Sequence, residues 1–121
     1  MKTVLIIEDN SDILENTTEI LMLAGFKVVT AINGKEGVAI ALNKNPDVIL
    51  CDIMMPEMNG YEVLNVLKKN VVTATIPFIY VTASAEKSEV LKAMEMGASG
   101  YVRKPFDVTD LMTVIDKIFP C

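Results

Sequence analysis

A doubly wound α/β fold, with a parallel sheet covered by helices on both faces, is predicted by three features of this sequence. Short runs rich in β-branched residues alternate five times with stretches of helical periodicity. The first, third and fourth runs (Thr3–Ile7, residues 48–51 and Phe78–Thr82) are almost continuously apolar, as strands buried on both faces of a parallel sheet must be. Turn-forming and capping residues stand at the junctions.

The elements follow in order. Thr3–Ile7 makes the first strand, and Glu8-Asp9 stops it. Ile13, Thr17, Ile20, Leu21 and Ala24 then share one helical stripe. Ser11 or Asn10 can cap that helix, and Gly25 stands where a left-handed residue would end it. Lys27–Ala31 is the second strand. Asn33-Gly34 turns the chain into a short helix at residues 35–42, and Asn45-Pro46 turns it out again. Asp52 directly follows the third strand, and Val63, Leu64 and Leu67 begin the apolar stripe of the third helix. Phe78–Thr82 leads to a fourth helix with Val90, Leu91 and Met94 on its stripe. Gly100–Arg103 leads to a fifth, capped by Asp107, with Leu111, Val114, Ile115 and Ile118 on its apolar face. Five βα units joined by right-handed crossovers point to a flavodoxin-like (βα)5 sheet of order 2-1-3-4-5. With no linker, repeat or low-complexity segment, residues 1–121 are expected to form one domain.

Composition narrows the function. The 121 residues are 51% hydrophobic and carry a net charge of −5, which argues against non-specific nucleic-acid binding. Histidine is absent, which removes imidazole-activated nucleophiles and imidazole-based zinc sites. Cys51 and Cys121 have no metal-ligand or disulfide spacing, and Cys51 reads as a small buried hydrophobe. No apolar run approaches the roughly 20 residues that a membrane span needs. No signal peptide is visible, and the cytoplasm is the expected compartment.

In a doubly wound fold the functional site lies at the carboxyl ends of the strands. Those ends carry Glu8-Asp9, Asp52, Thr82 and Lys104-Pro105. The first and third strands are neighbours in the expected order, so Glu8, Asp9 and Asp52 meet. Carboxylates crowded together repel unless a cation sits among them, and an oxygen-only donor set favours Mg²⁺. Asp52 is a competent nucleophile for phosphoryl transfer. Lys104 and Thr82 supply the positive charge and the hydroxyl that the transferring group needs. Each residue alone has an ordinary explanation as a cap, a turn or a surface charge. Their convergence at one end of one sheet does not.

Four segments, VLIIEDN, DVILCDIMMPEMNGYEVL, IPFIYVTA and GASGYVRKPF, resemble the CheY-like response-regulator receiver domains of two-component signalling, and the resemblance runs over residues 2–119. It implies that Asp52 is the phosphoacceptor, and that the donor is a sensor histidine kinase or a histidine phosphotransfer protein. It implies that Asp9 and Asp52 bind Mg²⁺, for which Mn²⁺ can substitute. Glu8 would act through a coordinated water, and the backbone carbonyl of Met54 would complete the ligands. Glu8 stands where many members have aspartate. Thr82 and Lys104 would contact the phosphoryl group, with the Lys104-Pro105 bond cis and Gly60 shaping the loop before the third helix. On phosphorylation Thr82 would shift, Tyr101 would rotate inward, and residues 86–96, 100–103 and 108–119 would change their surface. That face would meet a downstream effector or a second copy of the chain. Such a domain is regulatory rather than an enzyme, since it promotes only its own phosphorylation and dephosphorylation. Met54 and Ser84 occupy positions that in the family tune hydrolysis; apolar Met54 is expected to shield the site from water, and small Ser84 to orient none.

Three other functions fit less well. A haloacid-dehalogenase-like phosphatase would want a second carboxylate two residues after the nucleophile, where Met54 stands, and a cap domain. A flavin phosphate would be repelled by the acidic segment Glu8-Asp9-Asn10-Ser11-Asp12. A receiver-shaped interaction domain that works without phosphate would have no need of the full residue set.

Overall fold

The computed structural model describes residues 1–83 and 87–119. Its elements are β1 (Thr3–Ile7), α1 (Ser11–Leu23), β2 (Lys27–Ala31), α2 (Gly34–Lys44), β3 (Val48–Asp52), α3 (Gly60–Lys68), β4 (Phe78–Thr82), α4 (Lys87–Glu95), β5 (Gly100–Arg103) and α5 (Val108–Ile118). The five strands are parallel, in the order β2-β1-β3-β4-β5. This is the flavodoxin-like order expected from the sequence.

Alternation along each strand divides the core into two layers. Leu5, Ile7, Ile49, Cys51, Phe78 and Tyr80 pack with Ala41 of α2, Val63, Leu64 and Leu67 of α3, and Ala93 of α4. Val4, Ile6, Leu50, Ile79, Val81 and Val102 pack on the other face with Leu21 of α1 and Leu111 and Ile115 of α5. The central strands β3 and β4 are buried throughout, which accounts for their unbroken apolar runs.

Local chemistry sets the helix ends. The Asn10 side chain accepts from the N–H groups of Asp12 and Ile13, so Asn10 rather than Ser11 is the cap. Gly25, at φ 95°, ends the turn after α1, and Asn45 takes the left-handed conformation after α2. Reciprocal capping boxes open α3 (Asn59 with Glu62) and α5 (Asp107 with Asp110).

Some local expectations change. Ala24 is an exposed cap residue rather than the end of the buried stripe of α1. In α4, Leu91 and Met94 are exposed and the buried residue is Ala93.

Cys51 is fully buried, and desolvation pushes its thiol well above the ordinary range, with the Asp52 and Glu8 charges adding to the effect. Cys121 lies outside the described residues. In a Cys121→Ser variant, a thiol reagent should label Cys51 only after denaturation. Rapid labelling of the native protein would contradict this packing.

Candidate functional site

The candidate site is built at the carboxyl ends of β1, β3, β4 and β5. Glu8 follows β1, and its backbone N–H donates to the Ala31 carbonyl at 3.0 Å, which carries the pairing with β2 one step past the strand. Asp52 is the last residue of β3 and pairs in register with Val81. Thr82 ends β4. The N–H of Lys104, just past β5, donates to the Thr82 carbonyl at 2.7 Å. Sheet hydrogen bonding therefore fixes the backbones that carry these four side chains.

One ligand oxygen from each of Glu8, Asp9 and Asp52 lies within 4.8 Å of the others. Glu8 is 3% exposed and Asp52 6%, whereas Asp9 faces solvent. Lys104 reaches across them, with Nζ 2.8 Å from Glu8 Oε1 and 3.3 Å from Asp52 Oδ1. The second Glu8 oxygen accepts from the Asn10 N–H at 3.2 Å. Burial raises the Glu8 carboxyl above its ordinary range; the Lys104 hydrogen bond opposes this and the Asp52 charge reinforces it. Burial pulls the Lys104 ammonium down, but its hydrogen bond to Glu8 and the charge of Asp52 outweigh that, and the net shift is upward. Lys104 stays protonated and partly neutralises the cluster. Three carboxylates with one cation leave a negative, oxygen-only pocket that suits a hard divalent ion.

Tyr101 lies on β5 and is 39% exposed. Met54 is 77% exposed, so its side chain stands out in solvent instead of covering Asp52 as expected of a shield. The Lys104-Pro105 bond is cis. Ser84 lies outside the described residues, as does Glu86. Gly60 donates its N–H to the Ile53 carbonyl at 2.9 Å. A Cβ at Gly60 would stand 2.5 Å from the Asp52 carbonyl oxygen and 2.9 Å from the Ile53 Cα. Glycine is required there for close approach to the backbone that carries Asp52, a different reason from loop conformation.

One residue beside the site escaped the sequence argument. Tyr80 is fully buried, and its hydroxyl has no hydrogen-bond partner among the described residues. The only sequence signal was a phenol inside an otherwise apolar strand run.

The chain matches the family model "Response regulator receiver domain" over residues 4–116. It is 36% identical over 118 residues to the response regulator SaeR of Staphylococcus aureus, covering 98% of this chain and 50% of SaeR. The chain spans about half the length of the curated relatives it matches. Among solved structures, the chemotaxis protein CheY4 of Vibrio cholerae superposes with a TM-score of 0.93 at 28% identity, covering 98% of each chain. A response regulator receiver domain protein from Clostridium thermocellum gives a TM-score of 0.89 at 32% identity, covering 97% of this chain and 93% of that one. With this fold, this family match and these relatives, the chain belongs to the response regulators as a receiver domain, a regulatory module of two-component signalling.

Proposed function

We propose that this chain is a phosphorylation switch whose acceptor is Asp52 and whose donor is the phosphohistidine of a sensor histidine kinase or a histidine phosphotransfer protein. The observation that carries this reading is the convergence of Lys104 Nζ on Glu8 and Asp52 beside a third carboxylate, Asp9. In the transfer, an Asp52 carboxylate oxygen bonds to phosphorus while the P–N bond to the donor imidazole breaks. The bonding pair leaves with the imidazole nitrogen, which takes up a proton. Lys104 offsets charge on the phosphoryl oxygens, and the Thr82 hydroxyl donates to one of them.

Glu8, Asp9, Asp52 and the Met54 carbonyl would hold Mg²⁺, or Mn²⁺ in its place; the donor set is all oxygen and net negative, as such an ion requires. The bound ion supplies positive charge for phosphoryl oxygens that side chains alone cannot fully neutralise.

Phosphorylation adds roughly −1.5 to −2 charge and strong acceptor oxygens at Asp52. Thr82 moves toward them, Tyr101 turns inward, and a pre-existing equilibrium shifts. The readout face comprises α4, β5 and α5, where Leu91, Met94, Tyr101 and Val108 are exposed. It would engage an effector or a second copy of the chain. The relatives are about twice as long as this chain, which leaves room in such proteins for an attached effector. The proposed compartment is the cytoplasm; no helix among the described residues is long and apolar enough to cross a membrane.

The test is intact-protein mass after incubation with acetyl phosphate, with and without Mg²⁺. Wild type should gain one phosphoryl group only when Mg²⁺ is present, and Asp52→Asn should gain none. Equal labelling of Asp52→Asn would move the acceptor elsewhere.

A further inference from the structure

The underside of α4 holds a group that phosphoryl chemistry leaves unused. Tyr80 is sealed in the interior, and its hydroxyl finds no partner among the described residues, an arrangement that native interiors rarely tolerate. Burial pushes the phenol well above its ordinary range, so it remains protonated, able both to donate and to accept. The ring cannot easily swing to water. It is held edge-on against Phe78 and Tyr61, with centroids 5.1 and 5.3 Å away. A protein partner must therefore come to Tyr80.

Tyr101 is placed to be that partner. It is the direct register neighbour of Tyr80 across β4 and β5, so both side chains leave the same face of the sheet. Both line a small cavity of about 10 Å³, together with Thr82, Glu89, Val90 and Ala93. That space is the size of one water and too small for an aromatic ring, so an inward Tyr101 needs Thr82 and α4 to yield. The helix has little holding it: Ala93 is its one buried residue, and Lys92 rests 4.4 Å over the Tyr61 ring. Raising it sacrifices little apolar burial.

We propose that Tyr80 is a positioning residue of the switch: when Tyr101 turns inward, the two phenol hydroxyls hydrogen-bond, and the buried hydroxyl gains a protein partner in that state. This rests on the inward motion of Tyr101 proposed above. The resting state then carries the cost of an unpaired polar group, and Tyr80 sets how readily the switch fires.

The experiment is a double-mutant cycle in the full chain, using Tyr80→Phe, Tyr101→Phe and the double variant. The readouts are resting-state melting and affinity for beryllofluoride with Mg²⁺. Tyr80→Phe should melt at or above the wild-type temperature, because it removes an unsatisfied group and keeps the ring. Its beryllofluoride affinity should fall about fivefold, the usual worth of one neutral hydrogen bond. Tyr101→Phe should weaken binding as well, and the double variant should bind no more weakly than the weaker single. Melting several degrees lower in Tyr80→Phe would show that the hydroxyl is already partnered at rest, and would overturn the proposal. Unchanged beryllofluoride affinity, or losses that multiply in the double variant, would overturn it too. If the Tyr80→Phe effect vanishes in a Glu89→Gln background instead, the partner is the α4 carboxylate and the Tyr101 assignment is wrong. A wild-type protein that binds no beryllofluoride would defeat the phosphoryl reading itself, and the proposal with it. A normal wild-type response with an indifferent Tyr80→Phe would defeat the proposal alone.

Discussion

Gly60→Ala should cost about 2–3 kcal/mol of stability and slow phosphoryl uptake at a residue eight positions upstream. The added methyl would meet the Asp52 carbonyl oxygen at 2.5 Å and the Ile53 Cα at 2.9 Å. Both are backbone atoms, so no side-chain rotation relieves the clash. Asp52 is held to β4 by pairing with Val81, and the Ile53 N–H donates to the Val81 carbonyl at 3.3 Å. Either α3 lifts, which loosens Val63, Leu64 and Leu67 from the core, or the end of β3 moves and takes the Asp52 carboxylate with it. Urea denaturation reports the first and the rate of acetyl-phosphate labelling reports the second. A variant that matches wild type in both would show that this approach is looser than described.

Lys104→Met should lower stability by about 3 kcal/mol at neutral pH in the presence of a chelator, and Mg²⁺ should restore much of the loss. Lys104 is 18% exposed and touches Glu8 and Asp52, whose side chains are only 4% and 7% exposed. Removing one member of a buried ionic cluster costs more than the intact cluster contributes, because the remaining charges are stranded. Acid should repair the same defect. Burial already raises the Glu8 carboxyl above 4.5, and losing Lys104 raises it further. From 4.5 up to the folded-state value, the native protein binds more protons than the unfolded chain. Stability therefore falls as pH rises through that window and returns on acidification. Chemical melts between pH 5 and 7, with chelator or Mg²⁺, would check this. A loss that neither acid nor Mg²⁺ repairs would trace to the packing of the lysine stem, and not to its charge.

The strand order and the carboxyl-end cluster were legible because both rest on short-range signals. Unbroken apolar runs mark β3 and β4 as central, and the polar residue that ends each run is by position a member of the cluster. Helix boundaries were legible where a cap announced them, as at Asn33 and Asp107. The start of α3 at Gly60 is marked by the capping-box spacing of Asn59 and Glu62, while its apolar stripe begins only at Val63. The buried face of α4 was legible from hydrophobicity only at half-buried Val90. Leu91 and Met94 turn outward while the small Ala93 takes the buried position, and an apolar stripe gives an alanine little weight. The role of Gly60 and the orphaned Tyr80 hydroxyl depend on atoms from different elements. Sequence spacing alone does not show those approaches.

The division of the core by the sheet has a mechanical consequence. Tyr80, Thr82 and Tyr101 all project into the layer that holds α2, α3 and α4, while Val81 and Val102 anchor the layer that holds α1 and α5. Among the described residues the two buried clusters share no side chain, and the hydrogen-bonded parallel sheet stands between them. In the proposed switch, α4 would therefore shift relative to a layer from which the sheet separates it. A partner that straddles β5 would touch both layers together, and so would sense a relative shift that neither layer reveals alone.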